Sequence, residues 1–240
     1  MLKASAIIVA GGKGIRMGGN IRKQYLEISG QPLLCHTLRA FGACPSVEQI
    51  FLVVPAADTD FCRKSIVSPL SFREKIRVVR GGKERQDSVY NGLLAAEAYG
   101  GIAVIHDGVR PFVLPEQIQA TIDCAAENGA AMLGIPAFDT LKQVNESKEV
   151  EKTLDRTGIW LAQTPQTFSY DLIRNAHEWA RQSGYFGTDD ASLIERTGRK
   201  VRMIAGSRFN IKITTPEDLR FAQAIYPLFQ QMSDPNRGTG

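Results

Sequence analysis

The run Ala6-Ile7-Ile8-Val9-Ala10-Gly11-Gly12-Lys13-Gly14-Ile15-Arg16-Met17-Gly18-Gly19 decides how this chain folds. Its opening, Ala6–Ala10, reads as a strand that is apolar throughout, as a strand buried on both faces of a parallel sheet must be. Glycines follow at once. Lacking Cβ atoms, they let backbone N–H groups close around phosphate oxygens. Arg16 and Lys23 then set two cations beside the same turn. Glycines alone would also suit a flexible strand-to-helix turn with solvated basic residues. Neither a Walker P-loop nor a dinucleotide fingerprint is present, which argues against a nicotinamide-dependent dehydrogenase.

Outward from this stretch, short apolar runs alternate with amphipathic ones. Further strands are expected at Gln49–Val54, Ile76–Val79, Ile102–His106, Ala131–Pro136, Lys200–Ile204 and Asn210–Thr214. Helices are expected at Pro32–Phe41, Asp87–Ala98, Pro115–Glu127, Ser169–Gln182 and Asp189–Arg196. A last helix starts at Thr215-Pro216, where Thr215 can cap, Pro216 fits the first helical position and Glu217 and Asp218 favour the positive end of the dipole. Such alternation predicts an α/β fold, a doubly wound, mostly parallel Rossmann-like sheet. From Thr140 to Arg156 the chain turns polar, with Thr, Lys and Val in near-alternation, and reads as a protruding β-arm. We expect one domain over residues 1–232, an arm at about 137–160, and a disordered tail at 233–240.

Composition sets the class. At 240 residues, 43% apolar and 22% charged, the chain can build a full core without metal or disulfide staples. The net charge of +4 is spread out, so nucleic acid is not indicated and small anionic substrates suit it equally. Cys35, Cys44, Cys62 and Cys124 make no C-x-x-C pair and read as buried thiols of a reducing cytoplasm. No apolar run approaches the ~20 residues that span a bilayer. His36 and His177 read as ordinary helix residues, Trp160 and Trp179 as packing residues, and Met132 and Met203 as core.

Four further segments carry chemistry. In Gly81-Gly82-Lys83-Glu84-Arg85-Gln86-Asp87-Ser88-Val89, Asp87 or Ser88 can cap a helix. His106-Asp107-Gly108-Val109-Arg110-Pro111-Phe112 puts a carboxylate and a guanidinium at the carboxyl end of a strand, where open α/β sheets bind ligands. A mutual Asp107–Arg110 pair that merely shapes the turn is the alternative. The third runs from Asp155-Arg156-Thr157-Gly158 to Gln163-Thr164-Pro165-Gln166. The fourth joins Gly187-Thr188-Asp189-Asp190-Ala191-Ser192 to Asn210-Ile211-Lys212-Ile213, where Lys212 needs an anionic partner or a path to solvent.

The glycine turn with Lys23-Gln24-Tyr25-Leu26 resembles the signature of sugar-phosphate nucleotidyltransferases, cytidylyltransferases in particular. With the other segments in order, nearly the whole chain, from Ala6 to Leu219, resembles the 2-C-methyl-D-erythritol 4-phosphate cytidylyltransferase family. Gly11 stands where that family often has Ala, and Gly108-Val109 replaces a frequent Ala-Ala/Val pair. The rival is ribitol-5-phosphate cytidylyltransferase, which shares the glycine loop, His-Asp-x-x-Arg-Pro and Thr-Pro-Gln; Thr188-Asp189-Asp190-Ala191-Ser192 is closer to the methylerythritol enzyme. A CTP-binding sensor without activity is a second, different class of reading. The chain is expected to lack the second enzyme of bifunctional relatives.

The resemblance implies a nucleotidyltransferase-type fold and transfer of a cytidylyl group from CTP to a sugar-alcohol phosphate, with Mg²⁺ held mainly by the CTP phosphates. It places CTP against Ala10, Gly11, Gly12 and Gly14, with backbone at Gly82 and the Ser88 hydroxyl facing the cytosine. It assigns Thr140, Arg156 and Lys212 to the acceptor phosphate, and Asp107, Arg110, Thr164 and Thr188 to its hydroxyls or approach path. It further implies a homodimer whose arm reaches the partner's site. On charge alone, Arg16 and Lys23 suit the triphosphate and the developing transition-state charge. A phosphate monoester is already largely ionised near neutrality, its second pKa being about 6, so no general base is required.

Overall fold

The computed structural model describes residues 3–11 and 22–233. Its centre is a seven-stranded sheet built from β1 (Ala4–Val9), β4 (Val47–Val54), β5 (Ile76–Arg80), β6 (Ile102–Asp107), β7 (Ala130–Pro136), β10 (Trp160–Ser169) and β11 (Arg202–Ala205). The order is β11-β7-β10-β6-β1-β4-β5. All neighbours run parallel except β10, which is antiparallel to both β6 and β7. Two short strands, β2 (Glu27–Ile28) and β3 (Gln31–Pro32), pair beside it, and β8 (Leu141–Val144) with β9 (Val150–Leu154) form a separate antiparallel hairpin.

The period-2 alternation of β1 shows why both faces must be covered. Ala4, Ala6 and Ile8 enter one core with Leu34, Leu38 and Phe41 of α1 (Leu33–Ala43) and Ile118 and Ile122 of α4 (Pro115–Asn128). Residues from the short turn α2 (Thr59–Phe61) onward add Cys62, Ile66 and Val67 to that layer. Ile7 and Val9 enter the opposite core with Val89 and Leu93 of α3 (Arg85–Ala96), Ile173 of α5 (Tyr170–Ser183) and Leu193 of α6 (Asp190–Arg196). A third cluster joins Ala222 of α7 (Pro216–Ser233) to Ile28, Leu33, Phe112 and Ile213.

The chain leaves β1 toward β4 and β5, then returns through α3 to β6 on the other side of β1. Strand order therefore reverses between β1 and β6, which are paired Val9 to Asp107 at their carboxyl ends. Open α/β sheets bind ligands at such a switch point.

The expected α/β, doubly wound sheet is what forms, with four differences of detail. Asn210–Thr214 is not a strand: Ile213 N–H donates to the Val109 carbonyl at 2.9 Å, so this segment lies along the turn after β6 rather than in the sheet. The sheet instead gains β10, whose Thr-Pro-Gln core lacks the alternation of a strand and whose register slips between Ala162 and Gln166. α3 begins at Arg85, capped reciprocally by Glu84 and Asp87, so Ser88 is not its cap. Met203, on the edge strand β11, is 40% exposed rather than core. The disordered tail expected at 233–240 lies outside the described residues beyond Ser233.

Gly92 of α3 marks where that helix meets the sheet. A Cβ there would stand 2.5 Å from Ile7 Cγ2 and 3.1 Å from Val53 Cγ2. Alanine ordinarily gains up to about 1 kcal/mol over glycine inside a helix. Overpacking a core costs about 1–3 kcal/mol. We expect Gly92→Ala to lower unfolding stability by roughly 1–2 kcal/mol, read from urea midpoints at unchanged slope; equal or higher stability would show that the helix lies farther from β1.

Candidate active site

Asp107 ends β6 and is 6% exposed. A carboxylate buried this deeply requires partners, and it has them on both oxygens. Arg85 Nε lies 3.0 Å from Oδ1, Lys212 Nζ 2.9 Å from Oδ2 and Arg110 Nε 3.7 Å from Oδ2. Burial alone would push this carboxyl upward, but Arg85 first, then Lys212 and Arg110, hold it well below the usual carboxylate range.

Beneath it lies a neutral layer. The Asp107 N–H donates to Thr164 Oγ1 at 3.1 Å. His106 Nε2 lies 3.1 Å from the Arg110 carbonyl and must donate to it, which leaves Nδ1 to accept from the Thr164 hydroxyl at 3.0 Å. Buried completely, His106 is lowered to about 4, because desolvation disfavours its cation more strongly than the Arg110 carbonyl supports it. Asn210 closes the layer by donating to the Thr164 carbonyl at 2.8 Å, while Arg110 Nη1 donates to the Asn210 carbonyl at 2.7 Å.

Lys23 is brought to this point by its neighbours. The Gln24 amide, buried, donates to the Ala10 carbonyl at 2.8 Å. Tyr25 Oη donates to Asp58 Oδ2 at 2.9 Å, and Arg22 Nε pairs with the same oxygen at 3.0 Å. Burial lowers Lys23, and the Lys212 ammonium lowers it further, against smaller opposing effects of Asp107 and Asp218.

Two cavities open here. One, of about 240 Å³, is lined by Ala10, Gly11, Lys23, Lys83 and Arg85 among others. The second, of about 290 Å³, is lined by Arg110, Gln163, Thr164, Gln166, Thr188 and Asp189 among others. Arg85, Asp107 and Lys212 line both and form the wall between them.

Of the residues singled out in the sequence, Ala10, Gly11 and Lys23 thus gather at the first cavity, Arg110, Thr164 and Thr188 at the second, and Asp107 and Lys212 between. Gly82 donates its N–H to Ser88 Oγ at 3.1 Å, and that hydroxyl donates to the Glu84 carbonyl. A Cβ on Gly82 would lie 2.3 Å from Asp87 Cβ, so glycine is required there. Thr140 and Arg156 stand apart: both are exposed, line neither cavity, and flank the hairpin. Gly12, Gly14 and Arg16 lie outside the described residues. Arg85, which touches Asp107 and, at 2.8 Å, Asp190, was assigned no role from sequence. Its signal in the sequence is slight, one arginine between Glu84 and Gln86. His177, read as ordinary, is fully buried with Nε2 3.2 Å from Asp190 Oδ1.

Only the unfolded chain protonates His106 between its free value near 6.5 and about 4. Stability is therefore expected to fall as pH drops through that window, by at most on the order of 3 kcal/mol from this residue. Urea midpoints at pH 7.5 and 5 should differ more for the native chain than for His106→Gln; an equal difference would show that His106 is not held neutral.

Residues 4–227 match the family model described as IspD: 2-C-methyl-D-erythritol 4-phosphate cytidylyltransferase. A relative of that name from Pelotomaculum thermopropionicum is 48% identical over 94% of each chain, and one from Geotalea uraniireducens is 47% identical over 93% of this chain and 97% of its own. The crystal structure of 4-diphosphocytidyl-2C-methyl-D-erythritol synthase from Anaerococcus prevotii superposes with a TM-score of 0.83 at 34% identity, covering 94% of this chain and 96% of that one. The Francisella tularensis 2-C-methyl-D-erythritol 4-phosphate cytidylyltransferase gives 0.77 at 31% identity, over 92% and 99%. With two cation-lined cavities meeting at the switch point of its sheet, the chain belongs to the 2-C-methyl-D-erythritol 4-phosphate cytidylyltransferase family, nucleotidyltransferases of isoprenoid biosynthesis.

Proposed function

We propose that the first cavity takes CTP, that the second takes 2-C-methyl-D-erythritol 4-phosphate, and that the reaction crosses the wall of Arg85, Asp107 and Lys212 between them. That shared wall is the observation that carries the reading. An oxygen of the acceptor phosphate attacks the α-phosphorus of CTP, one P–O bond forms, and the bond to pyrophosphate breaks. The difficulty is electrostatic, since two polyanions must meet in line.

Lys23 meets the triphosphate beside the backbone of Ala10 and Gly11, and the same role expected of Arg16, Gly12 and Gly14 from the sequence falls outside the described residues. The mutual repulsion of Lys23 and Lys212 is relieved when anions enter. Lys212 and Arg156 hold the acceptor phosphate, and Asp107, Arg110, Thr164 and Thr188 orient its hydroxyls. Gly82 and Ser88, which line neither cavity, are joined by the Gly82 N–H to the Ser88 hydroxyl beside Lys83 and Glu84 of the first cavity, the side assigned to the cytosine.

Among the described residues, no group of three or more His, Cys, Asp or Glu side chains could hold a metal. Asp107 is committed to cations. This donor set fits an ion carried in on the triphosphate rather than a resident one, and Mg²⁺ so bound supplies charge neutralisation.

The hairpin exposes Val144 and Val150, and Phe138, Trp160 and Leu161 are exposed at its base. Such apolar surface suits burial against a second copy. In a homodimer of that kind Thr140 and Arg156 act at the partner's site, which accounts for their distance from both cavities. No helix among the described residues is long and apolar enough to cross a membrane, and all four cysteines are free, in keeping with a reducing cytoplasm.

Lys23→Ala is expected to lower turnover about a hundredfold or more, measured as pyrophosphate release with CTP, Mg²⁺ and the acceptor; near-normal turnover would remove Lys23 from this role. Mixed dimers of Lys23→Ala and Arg156→Ala chains should regain activity through one intact composite site. No recovery in verified mixed dimers would count against exchange of the arm.

A further inference from the structure

Arg85 is the first residue of α3, yet its guanidinium spans two buried carboxylates from other elements. Nε pairs with Asp107 Oδ1 at 3.0 Å and Nη1 with Asp190 Oδ2 at 2.8 Å. Asp190 is 1% exposed, lines neither cavity, and opens α6 just after its cap, Asp189. Its other oxygen accepts from His177 Nε2 on α5, so the carboxylate is fixed from two sides. Gln166 fixes the same turn, donating to Asp189 Oδ2 at 2.7 Å and accepting from Ala191 N–H at 2.9 Å.

A guanidinium and a carboxylate left alone tend to pair bidentately, two N–H groups on two oxygens. Here Asp190 holds Nη1 and so fixes the orientation of the guanidinium. In that orientation Arg85 meets Asp107 through Nε on Oδ1, and Oδ2 faces Lys212 at 2.9 Å, on the side where that lysine is 41% exposed, with Arg110 Nε farther off at 3.7 Å. A lysine could supply a charge but could not span both carboxylates.

We propose that Asp190 and Arg85 are positioning residues for Lys212: Asp190 restrains Arg85 to one oxygen of Asp107, which keeps the other directed at the Lys212 ammonium that meets the acceptor phosphate. The inference rests on the role given to Lys212 above. It extends the machinery of acceptor binding through Arg85 of α3 to Asp190 of α6, which lines neither cavity.

The experiment is a double-mutant cycle of Asp190→Asn and Lys212→Gln, with kcat and KM for the acceptor at saturating CTP. Asp190→Asn is expected to lower kcat/KM for the acceptor at least tenfold in the native background and by no more than twofold in the Lys212→Gln background. CTP affinity without acceptor should stay within threefold. Equal losses in both backgrounds would overturn the proposal, since Asp190 would then not act through Lys212. A silent Lys212→Gln would instead overturn the assignment of Lys212 itself. Removing one member of a buried ion pair is strongly destabilising. Should Asp190→Asn fail to fold, Arg85→Lys is read in the same cycle: a tenfold loss confined to the native Lys212 background supports the spanning role, and restoration of full activity by the lysine overturns it.

Discussion

One buried negative charge organises the centre of this molecule. Left without partners at the end of β6, Asp107 would either give up its charge or cost several kcal/mol, a large share of the marginal stability of a domain. Its partners therefore have to arrive, and each comes from a different part of the chain: Arg85 from α3, Arg110 from the turn after β6, and Lys212 from the segment before α7, while the Thr164 hydroxyl of β10 accepts from the Asp107 backbone N–H. Assembling them draws α3, the turn after β6 and the C-terminal segment toward the switch point. The result is an excess of cations over anions at the mouth of the sheet. Phosphate ligands offset that excess, so the same arrangement that makes Asp107 tolerable creates a site for polyanions.

The neutral residues below have a different task. His106 uses Nε2 on the Arg110 carbonyl and Nδ1 on the Thr164 hydroxyl, and Asn210 ties the C-terminal segment to β10. Buried polar networks are stabilising when fully satisfied and costly when not, and they specify a single arrangement for that reason. This one fixes where the peptide of Asp107 lies and, through Arg110, where a second guanidinium points.

Legibility in the sequence followed physical range. β1, β4 and β6 announce themselves because strands buried on both faces carry unbroken apolar runs. α7 is announced by Thr215, Pro216 and Asp218, whose capping bonds are local. β10 was hidden because Thr164, Pro165 and Gln166 are chosen for contacts with β6 and α6 rather than for strand propensity. Asn210–Thr214 misled for the complementary reason: alternating Ile211, Lys212 and Ile213 mimic a strand, but their apolar side chains pack under α7 and their one lysine faces Asp107. Within the site, Lys23, Asp107 and Lys212 stood out as charges beside recognisable turns. Arg85 and Asp190 did not, since a pairing across 105 positions leaves no mark on either neighbourhood.

The histidines sharpen the chemical reading. None of the three lines either cavity. His106 is committed at both nitrogens, His177 faces Asp190, and His36 bonds the Ile28 carbonyl. A site that moved a proton from its nucleophile would hold a base within reach of it. Here the carboxylates that line the cavities are engaged, Asp107 by Arg85 and Lys212, Asp189 by Gln166 and the Ser192 N–H, and Glu84 in the cap of α3, while the ammonium and guanidinium groups cannot accept a proton while charged. An acceptor phosphate arrives already ionised and needs only to be held in line while charge on both reactants is balanced. The placement of cations on both sides of a common wall, with no imidazole lining either cavity, is what that requirement asks of a protein.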